Sequence, residues 1–112
     1  MSQELIIFVT APSNDEAVRI ADSLVSGGLA ACVNIVGGIE SIYRWEGQVA
    51  RDRENLLIIK TVDERYAELE RRVKELHTYT TPEVIACKVE RGSDAYLKWL
   101  RESTTSEGAQ DS

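Results

Sequence analysis

Apolar positions along the chain alternate between strand-like and helix-like periods, and each change of period marks an element. Leu5 to Val9 is a continuous, β-branched run that breaks at Pro12, the pattern of a buried strand. Ser13 followed three residues later by Glu16 has the spacing of a capping box, in which the hydroxyl takes the third amide and the carboxylate returns to the cap. The helix that follows carries Ala17, Ile20, Ala21, Leu24 and Val25 at i, i+3, i+4, i+7 and i+8. Gly27-Gly28 supplies its left-handed stop.

From Leu29 to Val36 small and β-branched residues dominate, Gly37-Gly38 interrupts, and Ile39, Ser41, Tyr43 and Trp45 share one parity. This predicts a single long strand with a glycine bulge. The segment 46–48 reverses the chain, so the apolar run Leu56 to Ile59 returns antiparallel beside it. Such a long hairpin leaves edges that something must pair, most simply another copy of the chain.

Asp63 is placed to cap a second helix with the stripe Tyr66, Leu69, Val73 and Leu76, ending near His77. Pro82 opens a fourth strand over Glu83 to Glu90, and Ser93 caps a short helix carrying Tyr96, Leu97, Trp99 and Leu100. Residues 1–102 therefore read as one domain. The segment 103–112 lacks any bulky apolar residue and is expected to be a disordered tail. The order β-α-β-β-α-β plus a terminal helix is that of an α+β, ferredoxin-like sheet with helices on one face.

Composition narrows the function classes. The chain has 112 residues, with 13 Lys plus Arg against 19 Asp plus Glu, a net charge of −6 that repels a phosphate backbone and excludes nucleic acid as the expected partner. No apolar run is long enough to cross a membrane as a helix, and the acidic start Ser2-Gln3-Glu4 is unlike a signal peptide, so a cytoplasmic location is expected. Cys32 and Cys87 are then free thiols.

Common catalytic signatures are missing: there is no phosphate loop, G-x-S-x-G, H-E-x-x-H or C-x-x-C. The glycine pairs serve turn and bulge geometry. His77, the single histidine, stands at a helix C-terminus, either as a structural residue or as a ligand to a borderline or soft divalent metal, with Cys32, Cys87 and Glu83 as partners. Both cysteines also fit inert strand packing. Tyr43, Trp45, Tyr79 and Trp99 lie at strand ends, loops or a short helix, where aromatics commonly fill interfaces. Glu54 and Lys60 flank the third apolar run as a polar pair across a cleft or as a solvated rim. A hydrolase or transferase with His77 as base and Glu83 as its orienter lacks a nucleophile motif, so no enzyme is expected.

Taken in order, Thr10-Ala-Pro12, Leu29-Ala-Ala-Cys-Val-Asn-Ile35, Ser41-Ile-Tyr-Arg-Trp-Glu-Gly47, Leu57-Ile-Ile-Lys-Thr61, His77-Thr-Tyr-Thr-Thr-Pro-Glu83 and Tyr96-Leu-Lys-Trp-Leu100 resemble the CutA family of divalent-ion tolerance proteins. The resemblance implies a homotrimer with its hairpins joining sheets around a three-fold axis, and tolerance of divalent cations, copper above all. It also implies a metal site in inter-subunit clefts where His77, Tyr79, Glu83, Cys32, Lys60 and the Tyr43/Trp45 segment gather; His77, Glu83 and Cys32 are then the expected ligands. With the reading of the residues above, Lys60, Tyr79 and Glu54 are expected to line the cleft and Tyr43, Trp45 and Trp99 the trimer interface. Val9 and Arg72 stand where some members carry cysteines, which makes the implied site less rich in thiolate. Gly37-Gly38 and Thr78 replace family prolines beside the cleft. A fold-level alternative is a trimeric signalling module of the PII kind, holding a small anion in the same cleft against Lys60.

Overall fold

Period-two alternation in the first strand sets the whole architecture. In the computed structural model, which describes residues 3–104, β1 (Glu4–Ala11) buries Leu5, Ile7, Val9 and Ala11 on one face. It is followed by α1 (Asn14–Ser26), β2 (Cys32–Trp45), β3 (Gln48–Val62), a 3-10 turn (Asp63–Arg65), α2 (Tyr66–Leu76), β4 (Val84–Lys88) and α3 (Asp94–Glu102). The sheet is antiparallel throughout, in the order β2-β3-β1-β4, which is the ferredoxin-like α+β topology expected from the sequence.

Register explains the core. Ile7 pairs with Ile59 on β3, and Ile59 with Val33 on β2, so these side chains share the face that meets α1 and α2. Against them pack Ala17, Ile20 and Leu24 of α1 and Leu69 and Val73 of α2. The opposite face carries Ile6, Phe8, Leu56 and Ile58 in the same register and is only partly buried.

The start and stop signals of α1 are realised differently from each other. Gly28 adopts φ 73°, and the Leu29 and Gly28 amides donate to the Leu24 and Val25 carbonyls at 2.9 and 3.1 Å, a Schellman closure. At the other end the Ser13 hydroxyl accepts the Glu16 amide at 3.2 Å, but the Glu16 carboxylate turns to Thr78 instead of returning to the cap. Asp63 likewise begins a 3-10 turn, and no side chain caps α2.

The predicted bulge is present: Val36 pairs with Leu56, then Ile39 with Glu54, so two glycines on β2 oppose one residue of β3. At the tip Glu46 and Gly47 have φ 51° and 77°, the pair of positive values that a two-residue primed turn requires between Trp45 and Gln48. Because β1 stops at Ala11 opposite Asn55, residues 39–45 and 48–54 continue as a two-stranded ribbon without a third strand.

The fourth strand is shorter than expected, since only Val84 to Lys88 pair with β1. By alternation Glu4 points away from α1 and α2, and Arg101 of α3 reaches its carboxylate at 2.5 Å. The terminal helix therefore lies at the other face of the sheet, outside the helical layer. Ser103 and Thr104, assigned by composition to the tail, close this helix. Thr104 is buried, its hydroxyl donates to Leu100, and its carbonyl accepts from Arg65 at 2.9 Å. The remainder of the expected tail, 105–112, lies outside the described residues.

Candidate functional site

Helix α2 ends because His77 leaves helical dihedrals for φ −86°, ψ 140°, and this turns its ring into the fold. The side chain is fully buried. Nε2 donates to the Thr10 carbonyl at 2.7 Å and Nδ1 accepts the Tyr79 amide at 3.0 Å, a pattern that suits the neutral tautomer protonated on Nε2. Behind Nδ1, at 3.3 Å, stands the buried Glu16 carboxylate, which also accepts the Thr78 amide and hydroxyl at 3.1 and 2.5 Å. His77 and Glu16 thus fix the start of the loop 78–83 to β1 and α1.

That loop and the overhanging ribbon form two walls of an open cleft of about 750 Å³, whose lining includes Asp52, Glu54, Glu83, Tyr43, Trp45 and Tyr79. Glu54 is 7% exposed, and the Tyr79 hydroxyl donates to it at 3.1 Å. On the ribbon itself the Tyr43 hydroxyl donates to Asp52. None of Asp52, Glu54 and Glu83 has a cationic side chain within salt-bridge distance among the described residues. The electrostatic result is visible in the titrating groups. Burial, then the charge of Glu54, pushes the Glu83 carboxyl up. Burial, the Glu54 charge and the hydrogen bond to it push the Tyr79 phenol up to about 12. Ultraviolet titration should therefore show a late-ionising tyrosine that is lost in Tyr79→Phe and moves toward an ordinary value near 10 in Glu54→Gln. An unshifted titration in Glu54→Gln would remove Glu54 as a cause.

The expected metal set does not come together in one chain. His77 is walled off from the cleft with both nitrogens engaged. Cys32 pairs across the sheet with Lys60, whose ammonium donates to Asn34, while the Cys32 thiol faces the same Asn34 oxygen at 3.8 Å. Lys60 is six residues along β3 from Glu54, roughly 20 Å at strand rise, so these two do not form a polar pair. Glu54, Tyr79 and Glu83 do gather, with Tyr43 and Trp45 beside them. Trp99 lies apart on α3, 44% exposed and in ring contact with Tyr96 at 5.4 Å. Among the described residues no three His, Cys, Asp or Glu side chains stand close enough to hold a metal ion.

Asp52 and Glu16 escape a reading by sequence. Asp52 sits in the charged run 51–54, and only its parity with Glu54 signals a shared face. The capping-box spacing accounts for Glu16 locally and so hides its partner 62 residues away.

Comparison with known proteins agrees with this frame. The family described as CutA1 divalent ion tolerance protein matches residues 5–103. The divalent-cation tolerance protein CutA of Thermus thermophilus is 50% identical over 101 residues, covering 90% of this chain and 98% of its own. The chloroplastic protein CutA of Arabidopsis thaliana is 49% identical over 100 residues, covering 89% of this chain, which spans 55% of that longer protein. Among solved structures, the periplasmic divalent cation tolerance protein CutA of Archaeoglobus fulgidus superimposes with a TM-score of 0.88 at 43% identity, covering 91% of this chain and 99% of the other. With the family model matching nearly the whole described chain, half of its residues identical to a relative's and its backbone superimposing on another's, the chain belongs to the CutA1 family of divalent ion tolerance proteins.

Proposed function

We propose that this protein serves divalent-cation tolerance as a homotrimer that binds the cation weakly, without catalysis, between Glu54 and Glu83 in the cleft under the ribbon. The observation that carries the reading is the convergence on one cleft of carboxylates that have no cationic side chain in salt-bridge distance among the described residues. A carboxyl pushed up by burial and by a neighbouring carboxylate gains by pairing with a cation. Weak binding fits the lack of three chelating side chains standing together among the described residues. Copper is the favoured ion because Cu2+ leads the general order of divalent affinity at a given donor set. Tyr79 orients Glu54 and lines the site. His77 acts behind it, holding the loop from which Glu83 projects.

Trimer formation is supported by the ribbon, the partly buried Phe8 face and the exposed Tyr43, Trp45 and Trp99. A cytoplasmic location is supported by two free thiols, although relatives are named as chloroplastic and periplasmic. No described helix is long and apolar enough to cross a membrane. The anion-binding alternative has no support from the cleft, since its charged groups are acidic and Lys60 lies elsewhere.

Calorimetric titration of Cu2+ into the wild type, Glu54→Gln and Glu83→Gln tests the assignment. Each substitution is expected to weaken binding by about ten-fold, the equivalent of about 1.4 kcal/mol. Wild-type affinity in both variants would move the cation out of this cleft.

A further inference from the structure

The cleft under the ribbon is larger than a metal ion needs. At about 750 Å³ it falls within the roughly 300–1,000 Å³ of sites that take small organic molecules. Its walls combine three acids, Asp52, Glu54 and Glu83, with three rings, Tyr43, Trp45 and Tyr79, and no Lys, Arg or His lines it among the described residues. Such a lining repels an anion, and a neutral ligand would leave the acids uncompensated. An organic cation satisfies both kinds of wall at once, because the ring faces attract its charge and cover its carbon atoms while the carboxylates pair with it.

Glu54 carries an unmet charge. The residue is 7% exposed, one carboxylate oxygen accepts from the Tyr79 hydroxyl at 3.1 Å, and the other accepts no hydrogen bond among the described residues. Asp52 lies two residues along the same face of β3, roughly 7 Å away at strand rise, and is exposed at the rim. The Tyr43 hydroxyl donates to Asp52 as that of Tyr79 does to Glu54, so each carboxylate has a phenol ring fixed beside it. Two carboxylates at this spacing match two ammonium groups at the ends of a short methylene chain. Such amines keep their protons near neutral pH, as a lysine side chain does.

We infer that the cleft takes a short α,ω-diamine, with one ammonium group on Glu54, the other on Asp52, and the methylenes between them against Tyr43, Tyr79 and Trp45. The inference rests on the cleft assigned above and extends its ligands from a metal ion to an organic dication.

Calorimetric titration of the full chain with 1,4-diaminobutane, without added metal, tests it. In the wild type 1-aminobutane is expected to bind at least about five-fold more weakly and 1,4-butanediol not measurably, since one charge and then both are removed from the same carbon chain. Asp52→Asn and Trp45→Ala should each weaken the diamine by about five-fold and Glu54→Gln by about ten-fold. Glu75→Gln, at an exposed acid of α2, should leave it unchanged. Circular dichroism and light scattering check that each variant keeps its fold and assembly, and the three-ligand series on the wild type decides where one does not. Equal affinity for diamine and monoamine, or an equal loss in Glu75→Gln, would reduce the effect to the net charge of −6 and overturn the inference. So would a trimer that binds no diamine, its cleft filled by the neighbouring copy. Copper is read separately. Cu2+ binding that still needs Glu54 and Glu83 in a protein indifferent to diamine overturns this inference alone. Diamine binding that needs Glu54, with Cu2+ affinity unchanged in both glutamine variants, overturns the metal assignment alone.

Discussion

Ile59→Ala is expected to remove about 2–5 kcal/mol of unfolding free energy, a large share of the roughly 5–15 kcal/mol typical of a domain. Ile59 is fully buried at the middle of β3, paired with Ile7 on one side and Val33 on the other. Truncation there loses both the transfer free energy of the removed carbons and the contacts around the cavity. The cavity cannot close easily, because its walls come from three strands in fixed register and from two helices. Chemical denaturation at one fixed protein concentration measures the effect, the fixed concentration being needed because assembly adds its own stability. A loss below about 1 kcal/mol would mean that the two helices settle onto the sheet more freely than the packing indicates.

Glu16→Gln is expected to cost about 1.5–3 kcal/mol near neutral pH, the range for hydrogen bonds to a charged group. Burial alone would raise this carboxyl, but the two hydrogen bonds from Thr78, with the charges of His77 when protonated and of Arg19, outweigh it and hold the group below its ordinary 4.5. A depressed folded value means that the unfolded chain binds the proton more readily. The stabilisation is therefore complete above the ordinary carboxylate value and is lost as the pH falls through the folded one. Wild type and Glu16→Gln should differ most near neutrality and converge in acid. A difference that stays constant from about pH 7 to about pH 3 would show that shape, not charge, is what the loop needs from Glu16.

Much of this molecule is legible in its sequence. Period and punctuation are strong here: Pro12, Gly28, the glycine pair at the bulge and Ser93 each act where local chemistry says they must. The ribbon follows from parity alone, because Ser41, Tyr43 and Trp45 alternate onto the one face they share in the fold. The cleft is legible in part. Within one chain Glu54, Tyr79 and Glu83 meet while His77 and Cys32 lie apart from them, for two physical reasons. Residue type describes what a histidine can ligate, whereas its availability depends on which groups have already taken its nitrogens, here Thr10 and Tyr79. Strand position likewise fixes which row of the sheet a cysteine occupies, and the Cys32 row lies six residues from that of Glu54. Long-range partners such as Glu16 and Thr78 leave no local trace, since a capping residue and a network residue look identical in sequence.

The strand order has a consequence for synthesis. β1, made before either of its neighbours, ends up between β3 and β4, so its apolar run from Leu5 to Val9 has no neighbour until residues 56–62 have emerged, and its second neighbour comes only with 84–88. The hairpin of β2 and β3, joined by a two-residue turn, closes locally in the meantime. Pairings of such long sequence separation form late and slow the search. A nascent chain therefore exposes this apolar, β-branched segment well before both its neighbours exist, which makes the ribosome exit and the chaperones beside it the place where substitutions in β1 will be felt first.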